Sequence, residues 1–156
     1  AVPMSDGPIV VLDGATGETV WTAEASSSGG SGRTARLAAN ATTVFSAGAD
    51  GTLAAFAAEG CGQPTCGPAW TATTAATNVQ PSIGGDVLYV GGADGTVTAL
   101  PAGGCGAPTC DALWTGTVPG AVTAPPAIDD GRLYVGSGGA EEPGTVTAFS
   151  LPTTPA

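Results

Sequence analysis

Apolar residues in this chain come in short runs that alternate with Thr, Ser and Ala, and nearly every run is closed by Gly, Asp-Gly or Asn. A period of two bounded by turn residues is the signature of half-buried β-strands. It predicts strands at 7–12, 19–25, 34–37, 43–46, 52–57, 70–73, 79–83, 87–90, 96–100, 113–117, 126–128, 132–135 and 145–149. Asp50-Gly51 stands between two apolar runs, which is a strong hairpin signal, and Asp94-Gly95 repeats it. One stretch argues the other way. Residues 53–58 read Leu-Ala-Ala-Phe-Ala-Ala and favour a helix by propensity. Gly51 and Gly60 leave it too little length for a stable one, and its counterpart at 96–100, Thr-Val-Thr-Ala-Leu, alternates as a strand. No helix is expected.

That counterpart exists because the chain repeats. Residues 43–70 and 87–114 align without a gap, and Phe45/Tyr89, Asp50/Asp94, Cys61/Cys105, Cys66/Cys110 and Trp70/Trp114 are all 44 residues apart. A fixed period near 40–50 residues that holds four short strands is the mark of a propeller blade. The expected architecture is all-β, a partial β-propeller of about three to three and a half four-stranded antiparallel blades. Residues 7–150 are divided into a half blade (7–25), two blades (33–73 and 78–117) and an incomplete blade (122–150). Residues 1–6 and 151–156 are expected to be tails, and the Ser/Gly-rich stretch 26–32 a flexible connection. In the last unit the turn corresponding to Asp50 and Asp94 is read as a longer loop spanning 136–144.

The repeated phrase Val-Leu-Tyr-Val-Gly-Gly-Ala-Asp-Gly-Thr-Val-Thr-Ala-Leu (87–100), its relative at 43–56 and the interrupted version at 132–149 resemble the quinoprotein-type propeller family of pyrroloquinoline-quinone-like repeats. So does Leu-Asp-Gly-Ala-Thr-Gly-Glu-Thr-Val-Trp at 12–21. In the next two units a Cys loop replaces its Thr-Gly turn, while Trp70 and Trp114 keep the Trp place. The resemblance implies that Trp21, Trp70 and Trp114 dock between neighbouring blades. Quinone-binding dehydrogenases of the family carry a disulfide between adjacent cysteines and an acidic calcium site. This chain has no Cys-Cys dipeptide. The resemblance therefore points to the family's non-enzymatic scaffold and sensor members, among them an outer-membrane assembly lipoprotein. The expectation is a protein-binding or scaffold module outside the cytoplasm, with no catalytic residue, cofactor or metal. The alternatives are blades of a quinone-dependent dehydrogenase, or a sensor or spacer domain of a membrane-anchored protein.

Charge narrows the partners. Thirteen acidic residues face three cations, Arg33, Arg36 and Arg132, for a formal net charge of −10. Phosphate backbones are held by clustered Lys and Arg, so nucleic acid and anionic membrane surfaces are poor partners. With no His in the chain, a Ser-His-Asp triad, a Cys-His pair and a His-based zinc site are excluded within it. No apolar run reaches the 18 or more residues of a membrane-spanning helix, so no membrane insertion is expected.

Cys61, Cys66, Cys105 and Cys110 are the sharpest chemical feature, in Cys-Gly-Gln-Pro-Thr-Cys and Cys-Gly-Ala-Pro-Thr-Cys. Four cysteines allow three pairings. The Gly-x-Pro-Thr spacer can turn the chain back, which favours Cys61 with Cys66 and Cys105 with Cys110. A six-residue loop closed in this way contributes about 2 kcal/mol on the chain-entropy model. Zinc is the rival, since the ligand spacing permits it, although equivalent loops on adjacent blades should stand too far apart to share an ion. Disulfides place the chain in an oxidising compartment: secreted, periplasmic or on the cell surface. Asp50, Asp94, Asp129 and Asp130 are read as turn residues. Glu141 and Glu142, in the expected long loop, are candidate loop-face binding residues. Up-and-down topology places the Cys loops on one face of the arc, and Asp50, Asp94 and the 136–144 stretch on the other. A propeller closes with about four to eight blades, so an arc of this length leaves apolar faces and strand edges open. Remaining blades of a longer propeller, another protein or a second copy of the chain are the partners expected. By strand number two copies come near a ring of about seven blades.

Overall fold

The computed structural model describes residues 2–3, 8–24, 35–77, 79–139 and 142–151, with the side chains of 2, 3 and 142 excepted. Among the described residues the fold is all-β. The first sheet holds β1 (Val2–Pro3), β2 (Ile9–Leu12) and β3 (Thr19–Ala23). The second holds β4 (Arg36–Ala39), β5 (Thr43–Ala47), β6 (Thr52–Ala57) and β7 (Trp70–Thr73). The third holds β8 (Ser82–Gly84), β9 (Val87–Gly91), β10 (Thr96–Pro101) and β11 (Trp114–Thr117), and the fourth β12 (Ala127–Asp129), β13 (Arg132–Gly139) and β14 (Glu142–Ser150). Every sheet is antiparallel with its strands in sequence order, so each is an up-and-down meander.

Registers show which strands the end sheets lack. Trp70 pairs with Ala55, Trp114 with Ala99 and Trp21 with Val11. The first sheet therefore supplies the second, third and fourth strands of a unit, and the last sheet the first, second and third.

Three expectations change. Val2 and Pro3, read as part of an unstructured lead, pair with Val10 and Ile9 and add a fourteenth strand. The expected long loop at 136–144 is instead an extension of the β13–β14 hairpin. Ser137 pairs with Thr145 and Gly139 with Glu142, with a register shift between residues 137 and 139. Ser137 makes that extension tenable: its buried hydroxyl donates to the Pro119 carbonyl at 2.7 Å and shares a bond with Thr145 Oγ1 at 2.9 Å. Third, the strand read at 79–83 is paired only from Ser82. Val79 is buried in the connection, where the enclosed Thr77 hydroxyl accepts the Val79 N–H at 3.2 Å and donates to the Gly91 carbonyl at 2.6 Å. The flexible connection read at 26–32 lies outside the described residues.

The core consists of three layers, one between each pair of consecutive sheets. Ile9, Trp21 and Ala23 meet Val44, Ala54 and Phe56. Phe45, Leu53 and Trp70 meet Leu88, Val90 and Leu100. Tyr89, Val97 and Ala99 meet Leu133 and Val135. The middle sheets are thus covered on both faces, which resolves the Leu-Ala-Ala-Phe-Ala-Ala ambiguity. Leu53 through Phe56 are all buried, alternately toward one neighbour and the other, so the strand needs no polar face.

Short polar side chains set the turns. Asp50 and Asp94 accept the N–H of Thr52 and Thr96, each at 2.9 Å. Asp13 Oδ1 accepts the N–H groups of Ala15 and Thr16 at 2.9 and 2.8 Å. The Thr16 N–H, then that of Ala15, hold the Asp13 carboxyl below the usual carboxylate range, and the Thr96 N–H does the same for Asp94. Both groups have depressed folded-state values. The stability they contribute is complete above the unfolded carboxylate range, about pH 4, and is lost as pH falls through the folded values. Asp13→Asn/Asp94→Asn keeps an acceptor in each turn but does not titrate there. Urea midpoints measured between pH 7 and pH 2.5 should fall less steeply for this double variant than for the natural chain. Parallel curves would mean that the two turns do not feel their ionisation.

Candidate functional site

The Cys loops close the first two of the three junctions between consecutive sheets. Cys61–Cys66 and Cys105–Cys110 are disulfides, each with S–S 2.11 Å, so the local pairing holds and the zinc alternative falls. One sulfur of each pair is buried, at Cys66 and Cys110, and the other end of each loop is exposed. Each loop then reaches back to the outer strand of the preceding sheet. Thr22 on β3 donates its N–H to the Pro64 carbonyl at 2.9 Å and accepts the Cys66 N–H at 2.8 Å. Thr71 on β7 does the same with Pro108 and Cys110, at 2.9 Å each. Both threonine hydroxyls add a bond to the same proline carbonyl, at 3.2 and 3.3 Å.

Sequence reasoning missed this clasp. Its signal was present: Trp-Thr recurs at 21–22, 70–71 and 114–115, and Pro-Thr-Cys at 64–66 and 108–110. Nothing in a linear reading says that the second motif docks on the first one unit earlier. The third Trp-Thr has no such loop. Thr115 is exposed and pairs with Thr98 in its own sheet, and among the described residues no Cys loop reaches its backbone.

Trp21 and Trp70 lie beneath the clasps, and Trp114 holds the same place without one. Trp21 is 1% exposed, and its Nε1–H donates to the Ala58 carbonyl of the next unit at 3.1 Å. Its ring centroid is 6.1 Å from that of Phe56. Trp70 is buried edge-on to Phe45 at 6.0 Å. Trp114 is half-buried between Tyr89 at 6.1 Å and Phe149 at 5.7 Å. Gly60 and Gly104 let the loops approach. A methyl group would lie 2.6 Å from Trp21 Cδ1 at the first and 2.9 Å from Trp70 Cδ1 at the second, and both glycines have positive φ (87° and 82°).

Two repeat-related open clefts result, of about 420 and 400 Å³. Trp21, Gly60 and Pro64 help to line one, and Trp70, Gly104 and Pro108 the other. Their walls are an indole edge, glycine backbone and proline rings. Glu59 is the one ionisable side chain lining them and is replaced by Gly103 in the second. Such walls can hold an extended apolar segment by shape and by exposed backbone groups. Among the lining residues only the first cleft carries a hydroxyl and a carboxylate, those of Thr19 and Glu59.

The opposite ends of the sheets carry Asp50 and Asp94, as the topology predicts. There the connections leave, with the Thr74 N–H donating to the Gly51 carbonyl at 2.7 Å. Asp129 and Asp130 form the β12–β13 turn, where Asp130 takes φ 44°. Glu141 and the side chain of Glu142 lie outside the described residues. The backbone pairing of Glu142 with Gly139 replaces the open loop for which they were read as binding residues. Among the described residues no group of three or more acidic or Cys side chains is placed to hold a metal ion, and no helix is long and apolar enough to cross a membrane.

Consecutive meanders with stacked faces make the chain a β-propeller repeat protein. It belongs to the family described as outer membrane protein assembly factor BamB, built from pyrroloquinoline-quinone-like repeats, whose model matches residues 5–103 and 63–153. No curated protein matches it. Among solved structures, the computationally designed Ika8 protein superposes with TM-score 0.71 at 21% identity, over 96% of this chain and 42% of its own. The designed Ika4 protein gives 0.71 at 20%, over 96% and 82%. BamB from Moraxella catarrhalis gives 0.65 at 19%, over 85% and 41%. The likeness to these structures is one of fold, and the chain spans about two fifths of the length of Ika8 and of BamB.

Trp70→Ala should cost about 3–5 kcal/mol in chemical denaturation, as for a buried aromatic ring. Trp114→Ala should cost at least ~1 kcal/mol less, because less area is returned to water. Equal losses would mean that the two rings are packed alike. Reduction should remove about 2 kcal/mol per disulfide and free the clasps. Hydrogen exchange at the Thr22 and Thr71 amides should then accelerate to the rate that Thr115 shows in the oxidised protein. Unchanged protection would mean that the loops hold without their bridges.

Proposed function

We propose that this chain is an extracytoplasmic protein-binding or scaffold module with no chemistry of its own. The observation that carries this is the pair of clefts under the Cys loops. They repeat the same Trp, Gly and Pro walls at successive junctions, and such walls suit an extended peptide segment better than a small charged substrate. Two disulfides support a place in an oxidising compartment. Membership of a family described as an outer membrane protein assembly factor supports a role among other proteins. The net charge of −10 argues against nucleic acid as the partner.

Peptides selected on the purified chain from a displayed library test this. A selected peptide should shift the amide resonances of residues 60–64 or 104–108. Gln63→Trp and Ala107→Trp, each filling one cleft, should weaken it by at least about tenfold, or ~1.4 kcal/mol. Binders that leave both clefts unperturbed would remove the clefts from the proposal. Addition of pyrroloquinoline quinone and calcium should leave the visible spectrum that of the free quinone. A shifted absorbance with dye reduction would overturn the non-enzymatic reading in favour of a quinone-dependent dehydrogenase.

A further inference from the structure

The two clefts share a frame but not a lining. Trp21 and Trp70, Gly60 and Gly104, and Pro64 and Pro108 stand at equivalent places. The side chains between them differ. Glu59 and Gln63 in the first cleft are replaced by Gly103 and Ala107 in the second. Thr19 adds a hydroxyl to the first, whereas the residues lining the second offer no hydroxyl, amide or carboxyl side chain. The fold does not require this difference. The turn before each Cys loop closes alike, with the Gly60 N–H on the Ala57 carbonyl at 3.0 Å and the Gly104 N–H on the Pro101 carbonyl at 3.1 Å. Inside the loops, the carbonyls of Gln63 and Ala107 each lie 3.9 Å from the first sulfur, so backbone shapes the loop at these positions. Glu59 and Gln63 are exposed, and among the described residues their side chains have no hydrogen-bond or ion-pair partner. A carboxylate and an amide that the fold does not use for itself thus line the first cleft alone.

We infer that Glu59 sets the specificity of the first cleft. It selects an extended protein segment that carries a Lys or Arg side chain, while the second cleft takes an uncharged one. The inference rests on the clefts being peptide sites and adds what distinguishes them. A carboxylate on the wall pairs with an ammonium or a guanidinium. The Gln63 amide oxygen and the Thr19 hydroxyl, in the same lining, are acceptors for the remaining N–H donors of such a group. The second cleft has no counter-ion, so the cost of taking a cation out of water there is not offset. Charge favours the same partner at longer range. The chain carries a formal net charge of −10, and a surface of one sign raises the local concentration of the other. An exposed ion pair adds little affinity, but it discriminates between partners, because an acidic side chain at the same place is repelled.

Displayed-peptide selection on the oxidised full chain, one cleft at a time, tests this. Ala107→Trp fills the second cleft and leaves the first open; Gln63→Trp does the reverse. Both positions are exposed, so both variants should fold, as circular dichroism would show. Peptides taken by the first cleft should be enriched in Lys and Arg over the input library, and those taken by the second should not. Glu59→Gln should weaken the enriched peptides by about two- to fivefold, the size of an exposed ion pair. It removes one of thirteen acidic residues, so a general attraction of the acidic chain for cations would survive it. Gly103→Glu is the converse. A Cβ at Gly103 meets nothing within 4 Å, and the second cleft of this variant should acquire the cationic preference. Three results would overturn the inference while leaving the clefts as peptide sites: cleft-bound peptides without the enrichment, an enrichment that Glu59→Gln leaves unchanged, or a second cleft that Gly103→Glu does not convert. Binders that perturb neither cleft would overturn both readings.

Discussion

Burial of both faces of a sheet is the constraint on which the rest of this structure depends. A four-stranded meander whose strands are apolar on both sides cannot stand alone in water; it needs a neighbour on each face. The repeat meets that need with copies of itself. Phe45, Leu53 and Trp70 fill one gap with Leu88, Val90 and Leu100, and the next gap is filled by the residues one period later. The small aromatic content follows from this arrangement. Each layer is closed by one Trp on the outer strand and one or two rings around it, while Val, Leu and Ala complete the packing.

Sheet packing by itself leaves the outer strands as bare edges, which is a liability for any β protein. The Cys loops address that liability locally. A disulfide shapes a six-residue turn so that one proline carbonyl and one cysteine N–H meet a single threonine on the neighbouring sheet. The loop thereby ties consecutive units together by hydrogen bonds as well as by apolar contact. The same loop forms the cleft in which a partner segment could lie. Cleft and clasp are one piece of backbone, so whatever occupies the clefts also contacts the joints of the arc.

Much of this was legible in the chain. The spacing of Phe45/Tyr89, Asp50/Asp94 and Trp70/Trp114 carries the four-stranded unit, because a repeat has to place equivalent residues in equivalent environments. Asp50 and Asp94 were readable as turn residues, because an Asx turn is a contact between residues two apart. The Cys pairing was readable for the same reason: its partners are close in sequence. The extension of β13 and β14 was not, since Gly-Ser-Gly-Gly and Pro-Gly suggest a loop. They form strand only because Ser137 finds the Pro119 carbonyl and residues 121–123 run alongside. The pairing of Val2 and Pro3 was hidden likewise, since two residues carry no period.

What the sequence by itself determined is therefore everything set by neighbours within one period: the strands, the turns, the local disulfides and the all-β repeat. Tertiary structure alone decided the contacts that cross from one period to the next. The Thr22–Pro64 and Thr71–Pro108 clasps are of this kind, as are the seats of Trp21 and Trp70 under Gly60 and Gly104 and the contrast between buried Leu53 and exposed Val146. The physical reason is range. Hydrogen bonds within a turn and alternation along a strand depend on residues a few positions apart. Burial of a sheet face depends on whether another sheet stands about 10 Å away, and identical residues at the middle and the end of the same repeat meet opposite answers.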